Sequence, residues 1–223
     1  MINYYTLNKI FTDKNDGVDI VYKENELLYE KKSKFQNIKV FKNELYGKIL
    51  VIDDDLQLTD KDENNYHEMI AHVPINYNPD IENVLIIGGG DGGTAREVLK
   101  HKNIKIIDEV EIDIEVVNAC KTYFPELSIA YEDERLNLII DDGSRWVDDN
   151  LKKKKNYYDL IIVDSTDYNT ALKLFTAEFY EKLSSLLTKY GILIFNNMSI
   201  PWDVDSFKLT KTDKKKLKKQ KLK

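Results

Sequence analysis

The sequence predicts an α/β protein in two parts: a small N-terminal antiparallel β-domain, then a doubly wound domain built on a parallel sheet. Three observations lead there. Up to about Thr59, short segments such as "DIVYK" and "NIKVF" alternate apolar and polar residues, the period of strands with one buried face. From Asn65 onward, near-continuous apolar runs alternate with helix-like stretches, as parallel strands covered on both faces do. A glycine cluster, "GGGDGG", directly follows the first of those runs, where open α/β sheets bind their ligands.

In chain order, "GVDIVYKEN", "ELLYEKKS", "FQNIKVFKN", "YGKILVIDD" and "LQLTD" read as strands, parted by Gly17, Asn25, Asn43 and Gly47. These breakers favour turns, and about five or six strands are expected. The segment "NNYHEMIAHVPI" has helical apolar spacing and is expected to stop at Pro74. Strands are then expected at Val84–Ile87, Ile106–Val110, Leu136–Ile140, Leu160–Val163 and Ile192–Phe195. Between them, "GTAREVLKH", "IEVVNACKTYF", "GSRWVDDNL" and "TAEFYEKLSSLLTKY" read as helices. The chain divides into 1-62, the β-domain; 63-207, a Rossmann-like nucleoside-binding domain; and 208-223, a lysine-rich tail expected to be disordered.

Composition narrows the function classes. Among 223 residues, 42% are hydrophobic and 32% charged, enough for a packed core. The single cysteine, Cys120, excludes an intrachain disulfide and fits a cytoplasmic location. No apolar run is long enough to span a bilayer, and the first residues lack the order of a signal peptide, so no membrane association is expected. The net charge of −6 is uneven: Lys208–Lys223 carries nine lysines and one acid, which leaves −14 on Met1–Phe207. So acidic a body attracts cations and repels nucleic acid. The tail has no aromatic residues among its lysines, and nucleic acid is not expected as a partner.

The residues after each strand carry the chemistry. Gly88 and Gly90 belong to a loop whose backbone can approach a ligand and which opens a helix with free N–H groups. Glu111 follows the second strand, the place of an acid that accepts both hydrogen bonds of a ribose diol. Asp142 can accept from an exocyclic adenine amine, with Gly143 letting the loop pass the ring. Asp91 sits inside the glycine loop, where a phosphate would be repelled. A sulfonium nucleoside with an ammonium arm and no carboxylate fits instead. Opposite charges a few ångströms apart attract by several kcal/mol at an effective dielectric of about 20. The three histidines, His67, His72 and His101, are scattered and point to no metal.

"VLIIGGGDGGTARE" (Val84–Glu97), "LQLTDKDENNYHEM" (Leu56–Met69), "VEID" (Val110–Asp113) and "DSTD" (Asp164–Asp167) together resemble the polyamine aminopropyltransferases, the spermidine synthase family. "SKFQNIKVF" and "LFTAEFY" are similar to the same family, in the same order. The resemblance implies aminopropyl transfer from decarboxylated S-adenosylmethionine to putrescine, giving spermidine and 5′-methylthioadenosine. By the same resemblance Gln36, Glu111, Asp142 and Gly143 hold the nucleoside, and His67 and Asp91 lie near the aminopropyl arm. Tyr66, Asp164 and Asp167 lie on the diamine side, with Asp164 as proton acceptor. It implies no cofactor, since the nucleoside is a co-substrate, and a homodimer or homotetramer assembled through the β-domain.

The chain departs from the family in three ways. "YNTALKLF" follows "DSTD" where the family has a proline- and glycine-containing loop, so Tyr168 stands for the first proline. Ile10 stands for a tryptophan that borders the diamine pocket, and Asn196 follows the fifth strand where glutamine is common. Family members also run on well past that strand, so this reading takes the domain as C-terminally shortened. Two competing readings are a truncated, catalytically impaired member that serves as a binding or regulatory subunit, and a small-molecule methyltransferase on the same fold.

Overall fold

The computed structural model describes residues 9–15, 18–165, 174 and 176–195. The expected β-domain is there. β1 (Lys9–Asn15) and β2 (Val18–Glu24) form an antiparallel hairpin. β3 (Glu26–Lys32), β4 (Asn37–Asn43), β5 (Gly47–Ile52) and β6 (Asp55–Thr59) form an antiparallel sheet in sequential order. Two aspartates make the tight β5–β6 turn: Asp53 and Asp54 both have positive φ, 50° and 66°, as a two-residue type I′ hairpin demands. The Asp53 side chain also accepts the Asn37 N–H at 2.8 Å, pinning the turn to β4.

Alternation along these strands separates two apolar faces. Phe41, Ile49 and Val51 pack with Tyr22 of the hairpin. Ile38, Val40, Leu50, Ile52 and Leu58 pack against Val116, Ala119, Cys120 and Phe124. Most of that second surface is α3 (Ile114–Tyr123) of the following domain. The β-domain is thereby docked on the helix after the second parallel strand, and the turn carrying Gln36 is brought to that strand's end.

The second part is the expected parallel sheet. β7 (Asn83–Gly88), β8 (Ile106–Glu111), β9 (Leu136–Ile140), β10 (Tyr158–Asp164) and β11 (Leu187–Phe195) lie in the order β11-β10-β7-β8-β9. Val84, Ile86, Leu160 and Ile162 point into one core with Ile70, Ala71 and Ile75 of α1 (Glu63–Tyr77) and Ala95 and Val98 of α2 (Gly93–Leu99). Leu85, Ile87, Ile161 and Val163 point into the other. There they meet α5 (Gly143–Asn150) and α6 (Ala177–Leu186), while the short α4 (Pro125–Ser128) lies between α3 and β9 in the chain. Strands buried on both faces explain the unbroken apolar runs.

Two boundaries differ from expectation. α1 runs through Pro74 to Tyr77. Proline forgoes its N–H bond to the Ile70 carbonyl and crowds it, yet the last turn survives because Ile75 is buried and the Asn78 N–H reaches the Pro74 carbonyl at 3.0 Å. α6 ends at Leu186, and "LTKY" belongs to β11 rather than to the helix. Pairing of Leu187 with Tyr158 starts the strand there, a tertiary contact that outweighs the local helical spacing.

Candidate active site

The strand order reverses between β7 and β10, and that switch point lies at Gly88 and Asp164, which are register partners. A doubly wound sheet opens its crevice there. Gly88 has φ +86°, and a Cβ on it would stand 2.0 Å from the Asp164 carbonyl oxygen. The Gly89 N–H donates to that same carbonyl at 2.8 Å. The glycines thus serve first to let the loop lie against protein. A Cβ on Gly90 would meet the Glu111 carboxyl at 2.9 Å, and one on Gly93 would meet the His67 ring at 2.3 Å.

Asp164 lies at the centre of one half of the crevice. Its Oδ1 accepts the Tyr66 hydroxyl at 2.5 Å and its Oδ2 accepts the Thr94 hydroxyl at 2.6 Å. Burial and the nearby Asp91 charge push the Asp164 carboxyl above the usual range, against the two hydroxyl donors and the His67 charge. Burial, then the Asp164 charge, likewise pushes the Tyr66 phenol upward, so it stays a donor.

Behind Asp164 runs a chain of alternating charges. His67 Nδ1 meets Glu63 at 2.6 Å, and its Nε2 lies 3.4 Å from Asp91 Oδ1. Burial alone would lower the His67 pKa. The Asp91 charge and the hydrogen bonds to Asp91 and Glu63 reverse that and lift it to about 10. An imidazolium therefore sits between two carboxylates. Glu63 is held in turn by the Arg96 guanidinium, at 3.1 Å to one oxygen and 2.9 Å to the other. Asp91 Oδ1 also accepts the Gly93 N–H at 2.6 Å, in the first turn of α2.

The other half lies beyond β7. Glu111, 7% exposed, accepts the Asp113 N–H at 2.8 Å. Burial raises its pKa to about 7, with the Asp113 charge adding and the Asp113 and Gly90 backbone N–H groups opposing. Asp113 accepts the Ser33 hydroxyl at 2.5 Å from the β-domain. The Gln36 N–H returns to that Ser33 oxygen at 3.0 Å, which holds the buried Gln36 beside this strand end. Glu109, fully buried on β8, accepts the Tyr131 hydroxyl at 2.7 Å, and burial pushes its carboxyl well up. Asp142 caps α5, accepting from the Ser144 and Arg145 N–H groups at 2.8 and 3.2 Å. Gly143 packs so closely that a Cβ would lie 2.6 Å from Ile87 Cγ2.

The structure thus brings Tyr66, His67, Asp91 and Asp164 together on one side of β7 and Gln36 and Glu111 on the other, with Gly88 and Gly90 between. Asp142 and Gly143 follow β9, beyond Glu111. Asp167, the loop from Tyr168, Asn196 and the lysine tail lie outside the described residues. Ile10 on β1 is 60% exposed. Sequence reasoning missed Thr94, Glu63, Arg96 and Ser33. The visible signal for Thr94 was a hydroxyl in the small-residue opening of a helix just after the glycines. Among the described residues no group of His, Cys, Asp and Glu could hold a metal ion, and no helix is long and apolar enough to cross a membrane.

The comparisons agree with this fold. The family model "Spermine/spermidine synthase domain" matches residues 63–221, and "Spermidine synthase tetramerisation domain" matches residues 10–60. A polyamine aminopropyltransferase of Methanocaldococcus jannaschii is 42% identical over 192 residues, 86% of this chain and 64% of that protein. One of Buchnera aphidicola is 48% identical over 174 residues, 77% of this chain and 59% of that protein. The chain therefore spans about three fifths of the length of these relatives. A crystal structure of spermidine synthase with the transition-state analogue AdoDATO superposes with a TM-score of 0.83 at 34% identity, over 92% of this chain and 71% of that one. The Thermotoga maritima spermidine synthase structure gives 0.82 at 36% identity, over 89% and 67%.

Proposed function

The chain belongs to the spermine/spermidine synthase domain family, and from that premise we propose that it transfers an aminopropyl group from decarboxylated S-adenosylmethionine to putrescine. The observation that carries the reading is Asp164: a half-buried carboxylate at the switch point, with Asp91 and the His67 cation at its side. A primary alkylammonium has a pKa near that of lysine, about 10.4, and cannot attack while protonated. Asp164 takes one proton from one end of the diamine. The freed nitrogen lone pair forms the new N–C bond as the C–S bond breaks, and that electron pair leaves on sulfur as the neutral thioether. The sulfonium charge is thereby replaced by the proton on Asp164, and the equation balances with no cofactor.

Positioning does the remaining work. On this reading Glu111 accepts the ribose diol, with Gln36, Asp142 and Gly143 around the nucleoside. Asp91 faces the ammonium of the aminopropyl arm, and Tyr66, His67 and Asp167 orient the diamine. Asp91 favours the decarboxylated donor by attraction and disfavours a carboxylate-bearing one by repulsion. The relatives' names and the AdoDATO complex support the substrate class. The match of residues 10–60 to a tetramerisation domain supports self-association through the β-domain, as a homodimer or homotetramer. The proposed location is the cytoplasm.

The test is direct. The full chain is mixed with putrescine and decarboxylated S-adenosylmethionine, and products are identified by mass spectrometry. Spermidine and 5′-methylthioadenosine in equal amounts are expected. Tighter calorimetric binding of S-adenosylmethionine than of its decarboxylated form would overturn the role given to Asp91.

A further inference from the structure

Asp164 is held from two sides that differ in kind. Its Oδ2 accepts from Thr94, a fully buried side chain in the first turn of α2. Its Oδ1 accepts from Tyr66, whose ring on α1 is 36% exposed. A helical threonine can return its hydroxyl to the carbonyl four residues back. For Thr94 that residue is Gly90 in the glycine loop, and the hydroxyl instead reaches 70 positions along the chain. In a close-packed interior such a hydroxyl is fixed, whereas a phenol at the rim can swing aside for a ligand.

We propose that Thr94 is a positioning residue for proton transfer: it ties Asp164 Oδ2 to α2 and leaves Oδ1, under Tyr66, as the oxygen that receives the amine proton. This rests on the aminopropyl-transfer reading. In the step, the amine N–H bond breaks, an O–H bond forms at Oδ1, and the electron pair stays on nitrogen for attack on carbon. Thr94 has a second effect through charge. Among the described residues, the titratable groups facing Asp164 are Tyr66 and His67 from α1, Asp91 from the β7–α2 loop and, further off, Glu109 from β8. Burial and Asp91 disfavour the carboxylate, and the Thr94 hydrogen bond leads the interactions that favour it, ahead of Tyr66 and His67. Without that donor less Asp164 is ionised at a given pH.

The experiment compares wild type with Thr94→Val, Thr94→Ser and Tyr66→Phe. The acid limb of kcat/KM reports the free enzyme and that of kcat the complex. Thr94→Val is expected to move both limbs up by about one pH unit, the worth of one hydrogen bond to a charged group. Thr94→Ser is expected to restore both, and Tyr66→Phe to move kcat/KM alone, because the bound amine takes over at Oδ1. An unmoved limb in Thr94→Val, a serine variant as shifted as the valine one, or a Tyr66→Phe shift in both profiles overturns the assignment. In parallel, the Asp carboxyl carbon signals of substrate-free, labelled protein are titrated by NMR, with Asp164→Asn for assignment. A wild type that makes no spermidine removes the functional reading alone. The Thr94 link is then decided by the titration: upward in valine and normal in serine supports it, and no change overturns it.

Discussion

Glu111 and Asp164 close the two strands that flank β7, and burial pushes both carboxyls upward. They differ in what holds them. Glu111 is faced by backbone N–H groups, those of Asp113 and Gly90. Asp164 is held by two side-chain hydroxyls and faces an imidazolium. Backbone donors are fixed by the fold, so a carboxylate they hold is a static acceptor. The Thr94 hydroxyl is fixed, but the Tyr66 phenol at the rim can turn aside, so Asp164 can exchange that one donor for a substrate proton. On the proposed function, one side of the strand grips the nucleoside and the other takes part in reaction.

That division fixes what each carboxylate's loss should do. Asp164→Asn keeps the shape and one acceptor oxygen, leaves the hydroxyl facing the new NH2 to accept rather than donate, and removes the proposed base. Turnover should fall by about 10²–10⁴-fold, the usual contribution of a positioned base. Calorimetric affinity for 5′-methylthioadenosine should stay within a few-fold of wild type. A variant that turns over normally would strip Asp164 of its role. Glu111→Gln should show the opposite profile. Affinity for the nucleoside falls by roughly 10–100-fold, the cost of weakening hydrogen bonds to a charged group, while turnover at saturation changes much less. Because the Glu111 pKa is raised to about 7, wild-type affinity should itself decline as pH drops below about 7, and the Gln variant should bind independently of pH. A flat wild-type profile would place the nucleoside's diol elsewhere.

Much of this was legible in the sequence, for a physical reason. Apolar runs that must be buried on both faces announce parallel strands, and ligands collect at the carboxyl ends of such strands. Gly88, Asp91, Glu111 and Asp164 could therefore be singled out before any contact was known. What was not legible depends on partners far apart in the chain. Thr94 meets Asp164 across 70 positions, Ser33 meets Asp113 across 80, and Arg96 meets Glu63 across 33. No local pattern marks such pairs. The glycines show a subtler gap. Their need to approach something closely was readable, but what they approach first is the Asp164 carbonyl, the Glu111 carboxyl and the His67 ring. Similarly, "LSSLLTKY" has acceptable helical spacing, and only pairing with β10 ends the helix at Leu186.

The imidazolium on the reactive side gives the smallest effect, and one that needs no substrate. His67 has a folded-state pKa of about 10 against an ordinary 6.5. A group raised in this way stabilises the fold fully below about 6.5, and that contribution is lost as pH climbs through about 10. Thermal melts of wild type should therefore show stability declining across this window relative to His67→Gln, which has no proton to lose. Each pH unit inside the window should cost wild type about 1.4 kcal/mol relative to that variant, a few degrees in Tm. No comparable slope should separate wild type from Glu111→Gln over the same interval above pH 7, because Glu111 has already ionised there. Parallel curves for wild type and His67→Gln would mean that the ring is neutral between Glu63 and Asp91. Asp91 would then stand without a built-in counter-charge, and the contrast between the two flanks of β7 would rest on Thr94 and Tyr66 alone.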